Sequence, residues 1–167
     1  LSLLLVGGGI TQGILVRDRD ENTVQYEYEG HMFTRHTDEI PLRLEDVGYP
    51  AAEDSTSLDV QRSPLVTHRV AFQRPRMDNL SREELVYVIA DIKLGLLWQP
   101  CLEYYLSEAG DPAESDAVPW DCDRAWRRSD EFGVTYVLAK GRTLVYLELE
   151  TDFTDQQKAQ AGEKLFG

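Results

Sequence analysis

Val134-Thr-Tyr-Val-Leu-Ala-Lys-Gly-Arg-Thr-Leu-Val-Tyr-Leu-Glu-Leu149 is the stretch that decides the fold. Two runs of β-branched and aromatic residues flank Lys140-Gly141, the pattern of strands joined by a two-residue turn. With that turn, Val134, Tyr136 and Leu138 share one face with Val145, Leu147 and Leu149. Such a face must be covered. The clearest helix is just upstream, where Leu94, Leu97, Trp98, Cys101, Leu102, Tyr105 and Leu106 recur at helical spacing, a stripe that packs on a sheet. Pro100 fits this helix if the regular part begins close to it, since first-turn amides need no intrahelical acceptor. Gly110-Asp-Pro112 ends it, and an acidic loop runs on to Val118. Downstream, Thr154-Asp-Gln-Gln157 is a capping box that starts a last helix towards Leu165.

Further outward, residues 23–29 alternate Val24, Tyr26, Tyr28 against Gln25, Glu27, Glu29, a half-buried strand. Residues 63–72 form another strand, broken by Arg74-Pro75-Arg76, and the continuous apolar run 85–90 is a better-buried one. Short helices are expected over 38–46, with Pro41 in the first turn and Gly48 as the stop, and over 119–126 behind Pro119. Residues 50–57 are polar and small, a surface loop. The order β-α-β-β-α-α-β-β-α indicates an α+β fold: a mainly antiparallel sheet with two or three helices packed on it, preceded by an apolar segment.

At 167 residues the chain fits one domain, taken as residues 20–167. A hydrophobic fraction of 42% and a charged fraction of 28% are globular values. The net charge of −13 repels phosphate backbones and argues against nucleic acid as a partner. The acidity is uneven: residues 61–102 hold six basic and four acidic groups, while 103–123 hold seven acidic groups and no basic one. Arg62, Arg69, Arg74, Arg76 and Arg82 make up the basic segment. Two readings fit it, surface charge pairing within one fold or an anionic-ligand site.

The chain begins at Leu1 without a methionine, and the expectation is a piece of a longer or processed protein. Residues 1–16 carry no charge, and Arg17-Asp-Arg-Asp-Glu21 follows. Sixteen helical residues rise about 24 Å, short of the roughly 30 Å of a bilayer's hydrocarbon core. They fit the end of a membrane span, with Gly9 and Gly13 at the spacing of close helix contacts. They also fit a buried strand pair around Gly7-Gly8-Gly9. A signal peptide fits poorly, because no basic region precedes the apolar run.

No nucleophile elbow, P-loop, dinucleotide fingerprint, paired-cysteine or calcium-loop motif is present. His31 and His36 are five apart and His68 is remote, so none has helical zinc-pair spacing. Cys122 lies between Asp121 and Asp123, which disfavours a thiolate, and Cys101 falls on the apolar helix stripe. A Cys101–Cys122 disulfide would close a loop of about twenty residues and contribute about 3 kcal/mol in an oxidising compartment. Trp120 and Trp126, beside Arg124, Arg127 and Arg128, read either as core anchors or as an aromatic-cationic patch. No residue is assigned a catalytic, cofactor-binding or metal-binding role.

Asp38-Glu-Ile-Pro-Leu-Arg-Leu-Glu-Asp-Val-Gly48, Ser63-Pro-Leu-Val-Thr-His-Arg69, Ala117-Val-Pro-Trp-Asp121, Ala125-Trp126 and the closing Tyr136-to-Leu165 region form a scattered pattern. It resembles uncharacterised membrane proteins of Gram-positive anaerobes. The resemblance implies a cytoplasmic domain, apolar spans and a terminal extracytoplasmic domain, with residues 1–16 the end of the last span. It carries no reaction, cofactor or catalytic residue. The expected function is a non-enzymatic extracytoplasmic sensor or interaction domain at the cell membrane, touching a protein partner, and the membrane through residues 1–16. Arg17 and Arg19 instead favour a cytoplasmic body. The alternative is accordingly a soluble cytoplasmic acidic module of inhibitor or immunity type that binds a basic protein. A hydrolase with a carboxylate site comes third.

Overall fold

The computed structural model describes residues 23–28, 31–36, 40–49, 57–73 and 85–167, the first two segments as backbone strands. The strands are β1 Thr23–Tyr28, β2 His31–His36, β3 Ser57–Arg62, β4 Val66–Gln73, β5 Leu85–Ile92, β6 Ala113–Ser115, β7 Arg124–Asp130, β8 Gly133–Lys140 and β9 Thr143–Leu149. The helices are α1 Trp98–Glu108 and α2 Asp155–Phe166. β1 and β2 pair as a separate antiparallel hairpin. The other seven form one sheet in the order β3-β4-β5-β9-β8-β7-β6, antiparallel throughout. The fold is α+β. Residues 1–16 and the domain start at Asp20 lie outside the described residues, as do Arg74, Arg76 and Arg82.

The 134–149 hairpin forms with a turn one residue later than expected. Lys140 pairs with Thr143, leaving Gly141-Arg142 as the loop. Favoured two-residue loops need a positive φ at their first central position. Gly141 takes φ +57° there, whereas the expected turn would have put Lys140 in that place. The register moves by two residues, so no side chain changes face. Val134 opposes Leu149, Tyr136 opposes Leu147 and Leu138 opposes Val145, all in one core.

Both faces of the sheet are covered. The first packs Leu58, Ala71, Leu85, Tyr87, Ile89 and the hairpin residues against Leu42, Leu44, Val47, Trp120, Phe153, Ala161 and Leu165. The second packs Val66, Val88, Ala90, Trp126, Val137 and Leu144 against Cys101, Leu102 and Tyr105 of α1 and Ala109 just after it. Fully burying one such Leu stabilises by about 1.5–3 kcal/mol. Pro100 is the third residue of α1, inside the first turn. Leu94 drops off the expected stripe and is 40% exposed, because Gly95–Leu97 forms a 3-10 turn before the regular helix starts.

α2 opens with the expected capping box: Gln157 N–H donates to Thr154 Oγ1 at 3.3 Å, and Thr154 N–H to Gln157 Oε1 at 2.9 Å. Gly162 lets this helix touch backbone, since a Cβ there would lie 1.9 Å from the carbonyl oxygen of Trp120. Arg127, Tyr136 and Lys158 converge on Asp152 and fasten α2 to β7 and β8.

The two short helices contract to single 3-10 turns, Leu44–Val47 and Val118–Trp120. Gly48 ends the first at φ +89°, as expected. Asp121 ends the second at φ 51°, a left-handed position that aspartate tolerates. Ala125 and Trp126 therefore belong to a strand, β7, and not to a helix. β2, β3, β6 and β7 are four strands absent from the sequence-derived order.

Candidate functional site

On the first face the strands change character together at one end. Side chains two apart share a face, so the series Leu58, Val60 continues to Arg62 on β3. Ala71 continues to Arg69 and Thr67 on β4, and Tyr87, Ile89 to Asp91 on β5. Register sets these polar ends side by side: Arg62 pairs with Thr67, Val60 with Arg69, and Thr67 with Asp91. Ile40, Pro41 and Lys164 of α2 border them, around an open hollow of about 540 Å³. Volumes of that order hold small ligands.

Asp91 is fixed on both oxygens. Arg69 donates from a terminal nitrogen at 2.9 Å, and Thr143 Oγ1 donates to the other oxygen at 2.8 Å. Arg69 Nε is buried and has no acceptor among the described residues. Lys164 stands 3.7 Å from Asp46. Among the described residues, Arg62, Arg69 and Lys164 line the cavity with Asp91, and Asp46 lies beside Lys164.

The Ile40–Pro41 wall is held by two buried polar side chains. Tyr87 Oη accepts from Leu42 N–H at 3.1 Å and donates to Leu42 C=O at 3.0 Å. Gln73 accepts from Leu44 N–H at 2.9 Å and donates to Leu42 C=O from its amide. The segment lacks ladder partners, and these two side chains supply them. Burial holds the Tyr87 phenol well above its ordinary range, so it keeps the proton it donates.

Family models, curated proteins and solved structures yield no match to the chain.

Of the sequence-flagged arginines, Arg62 and Arg69 meet at this cavity. His31 and His36 lie at opposite ends of β2. His68 points to the second face, half-buried, with burial pushing its pKa down to about 4 against the opposing pull of Asp91. Cys101 and Cys122 are free thiols on opposite sides of the sheet. Burial raises both, Cys122 to about 11, and Cys122 Sγ donates to Arg124 C=O at 3.3 Å.

The tryptophans also separate. Trp120 lies edge-on to Tyr136 in the first core, while Trp126 lies on the second face under the Arg124 guanidinium at 4.4 Å. Both are core anchors, and the patch reduces to Arg124 on Trp126. Asp91, Thr67 and Lys164 were not singled out from sequence. Asp91 alone left a signal, as the carboxylate interrupting the apolar run of β5.

The opposite end of the sheet is acidic: Asp130, Glu148 and Glu150 border a second hollow of about 440 Å³ beside Phe132, which is 81% exposed. Among the described residues no three His, Cys, Asp or Glu side chains are grouped as metal ligands. No helix among them is long and apolar enough to cross a membrane.

Proposed function

We propose that this chain is a non-enzymatic sensor domain of a bacterial membrane protein, recognising a small ligand in the cavity between β3, β4, β5 and α2. The juxtaposition of Arg62, Arg69 and Lys164, from three separate elements, around a concave space in a strongly acidic protein carries this reading. A solvated charged surface would spread its cations; here they converge. The extracytoplasmic placement rests on the resemblance and on the uncharged residues 1–16. A hydrolase with paired carboxylates gains no support from this cavity, whose lining among the described residues holds one carboxylate, Asp91.

Thermal-shift screening of the full chain against anionic, cationic and neutral small molecules tests the reading. At least one compound should raise Tm in a concentration-dependent way, as mass action requires, and the Arg69→Gln variant should lose that shift. A panel without a cavity-dependent shift refutes the sensor assignment. Co-flotation of the full chain with liposomes tests placement, and recovery wholly in the soluble fraction counts against the membrane. The acidic module stays a second reading because Phe132 stands among Asp130, Glu148 and Glu150, a surface suited to a basic protein.

A further inference from the structure

We infer that one end of the sheet, made of the β3–β4, β5–α1 and β8–β9 connections, docks on an anionic phospholipid surface. Its exposed leucines enter the headgroup region, and Lys93 and Arg142 meet lipid phosphates. This surface is separate from the cavity and from residues 1–16, so the inference goes beyond the sensor reading.

Three leucines meet water at this end. Leu65 tops the β3–β4 turn, while Leu94 and Leu96 lie between β5 and α1, Leu96 being 71% exposed. A lone exposed leucine is ordinary, but apolar side chains gathered at one place mark an interaction site. Hydrogen bonds gather these. Lys93 N–H donates to Leu65 C=O at 2.8 Å, and Lys93 Nζ donates to Ser63 C=O at 2.8 Å. Arg142 donates from Nη1 to Lys93 C=O at 3.1 Å, which ties in the β8–β9 turn. Ser63 Oγ accepts from Leu65 N–H and Val66 N–H and fixes the first tip. The three connections are therefore held together before any partner arrives.

Charge comes next. Lys93 and Arg142 are both exposed, and their acceptors are neutral carbonyls, which orient the side chains without cancelling charge. An ammonium has three donors and a guanidinium five, so each keeps N–H groups for phosphate oxygens. The acids nearby are engaged: Asp91 with Arg69 and Thr143, Asp121 with Lys140, and Asp123 with Gly141 N–H at 2.7 Å. Only the last of these leaves its charge without a cation, against two cations without a carboxylate. Asp130, Glu148 and Glu150 border the opposite end. Seven steps along β5 span about 23 Å, against a Debye length of about 8 Å in physiological salt. That acidity is screened from the leucines.

Shape and composition favour lipid over protein. Neither hollow is lined by Leu65, Leu94 or Leu96. Protein hot spots centre on aromatic or arginine anchors seated in pockets, and leucine is under-represented there. A bilayer interface requires no pocket: apolar side chains enter it, and basic residues beside them are drawn to anionic headgroups. Trp98, half-buried just behind Leu96, suits the same boundary.

The test is sedimentation of the full chain with two kinds of vesicle, equal parts phosphatidylglycerol and phosphatidylcholine, or phosphatidylcholine alone. The anionic vesicles should bind roughly tenfold or more tightly. Leu96→Asp, at a position too exposed to disturb the core, should weaken that binding roughly tenfold. Lys93→Gln with Arg142→Gln should weaken it several-fold and reduce its salt dependence. A fluorophore on Leu96→Cys should shift to the blue and be quenched by brominated acyl chains. The same fluorophore on Phe132→Cys, at the acidic end, should stay in water.

Equal binding to both vesicles, indifferent to Leu96→Asp, assigns attachment to the uncharged residues 1–16 and overturns the inference, leaving membrane placement standing. So does a label at position 96 that stays in water while the chain sediments. If neither vesicle binds, the inference and membrane placement fall together. Self-association that Leu96→Asp abolishes, without vesicle binding, makes this end a protein interface and rejects the lipid surface. The ligand reading of the cavity depends on none of these outcomes.

Discussion

Gln73 and Tyr87 offer the sharpest test of how the cavity wall is held. Tyr87→Phe removes the acceptor of Leu42 N–H and, of the described donors to Leu42 C=O, one of two. Gln73→Leu removes the acceptor for Leu44 N–H and the other donor to that carbonyl. A buried backbone group left without a partner costs about 1–3 kcal/mol, so each single variant should lose about that much. In a domain of this size each kcal/mol corresponds to a fall in Tm of about 2–4 °C. The double variant should lose more than the sum, by about 1 kcal/mol. Only in the double variant does the Leu42 carbonyl lose both donors. Urea denaturation of the four proteins, closed as a double-mutant cycle, measures this coupling. Additivity within about 0.5 kcal/mol, or a single variant as stable as the parent, would refute the proposed clamp.

Gly162→Ala should destabilise by about 1–3 kcal/mol although alanine is the better helix former, because the new methyl meets the Trp120 carbonyl; a gain in Tm would show that α2 does not approach that turn. His68 is held neutral, its pKa pushed down to about 4 chiefly by burial. An unfolded histidine titrates near 6.5, so this contribution to stability is complete above about pH 6.5 and is lost as pH falls towards 4. His68→Gln should flatten that part of the stability profile, and an unchanged profile would place the acid sensitivity elsewhere. Cys122, pushed up to about 11 mainly by burial, should react with iodoacetamide at pH 8 roughly a hundredfold more slowly in the native chain than in urea, comparable rates showing an exposed thiol.

The elements legible in the sequence were those whose apolar pattern exceeds one side chain per turn or per pair. The hairpin, the 94–106 stripe and the Thr154 capping box each combine several agreeing signals. β7 offers only Ala125 and Trp126 amid Arg124, Arg127, Arg128 and Asp130, since it lies near a sheet edge where charge is tolerated. β3 alternates Leu58 and Val60 with Asp59 and Gln61, but its two apolar residues are too few to stand out. The cavity was half-legible. Arg62 and Arg69 stood out by charge. Their meeting with Lys164, about a hundred residues away in the chain, depends on α2 crossing the sheet, which no local pattern encodes.

The strand order has a consequence for assembly. β3, β4 and β5 follow one another in the chain and pair in that order, and so do β6, β7, β8 and β9. Each set is a meander closed by local contacts. The seam between them is β5 against β9, from Leu85↔Leu149 to Asp91↔Thr143, with α1 bridging on the second face. Loop-closure entropy must be met before such a long-range seam forms, so docking of the two meanders is expected to follow formation of each. Gly110-Asp111, exposed and at φ 72° and 54°, joins the halves. Cut there, the chain becomes two fragments, each keeping its own ladder of strand pairs while both apolar cores are shared between them. Their recombination zips up β5 and β9, making this fold a natural candidate for a split reporter.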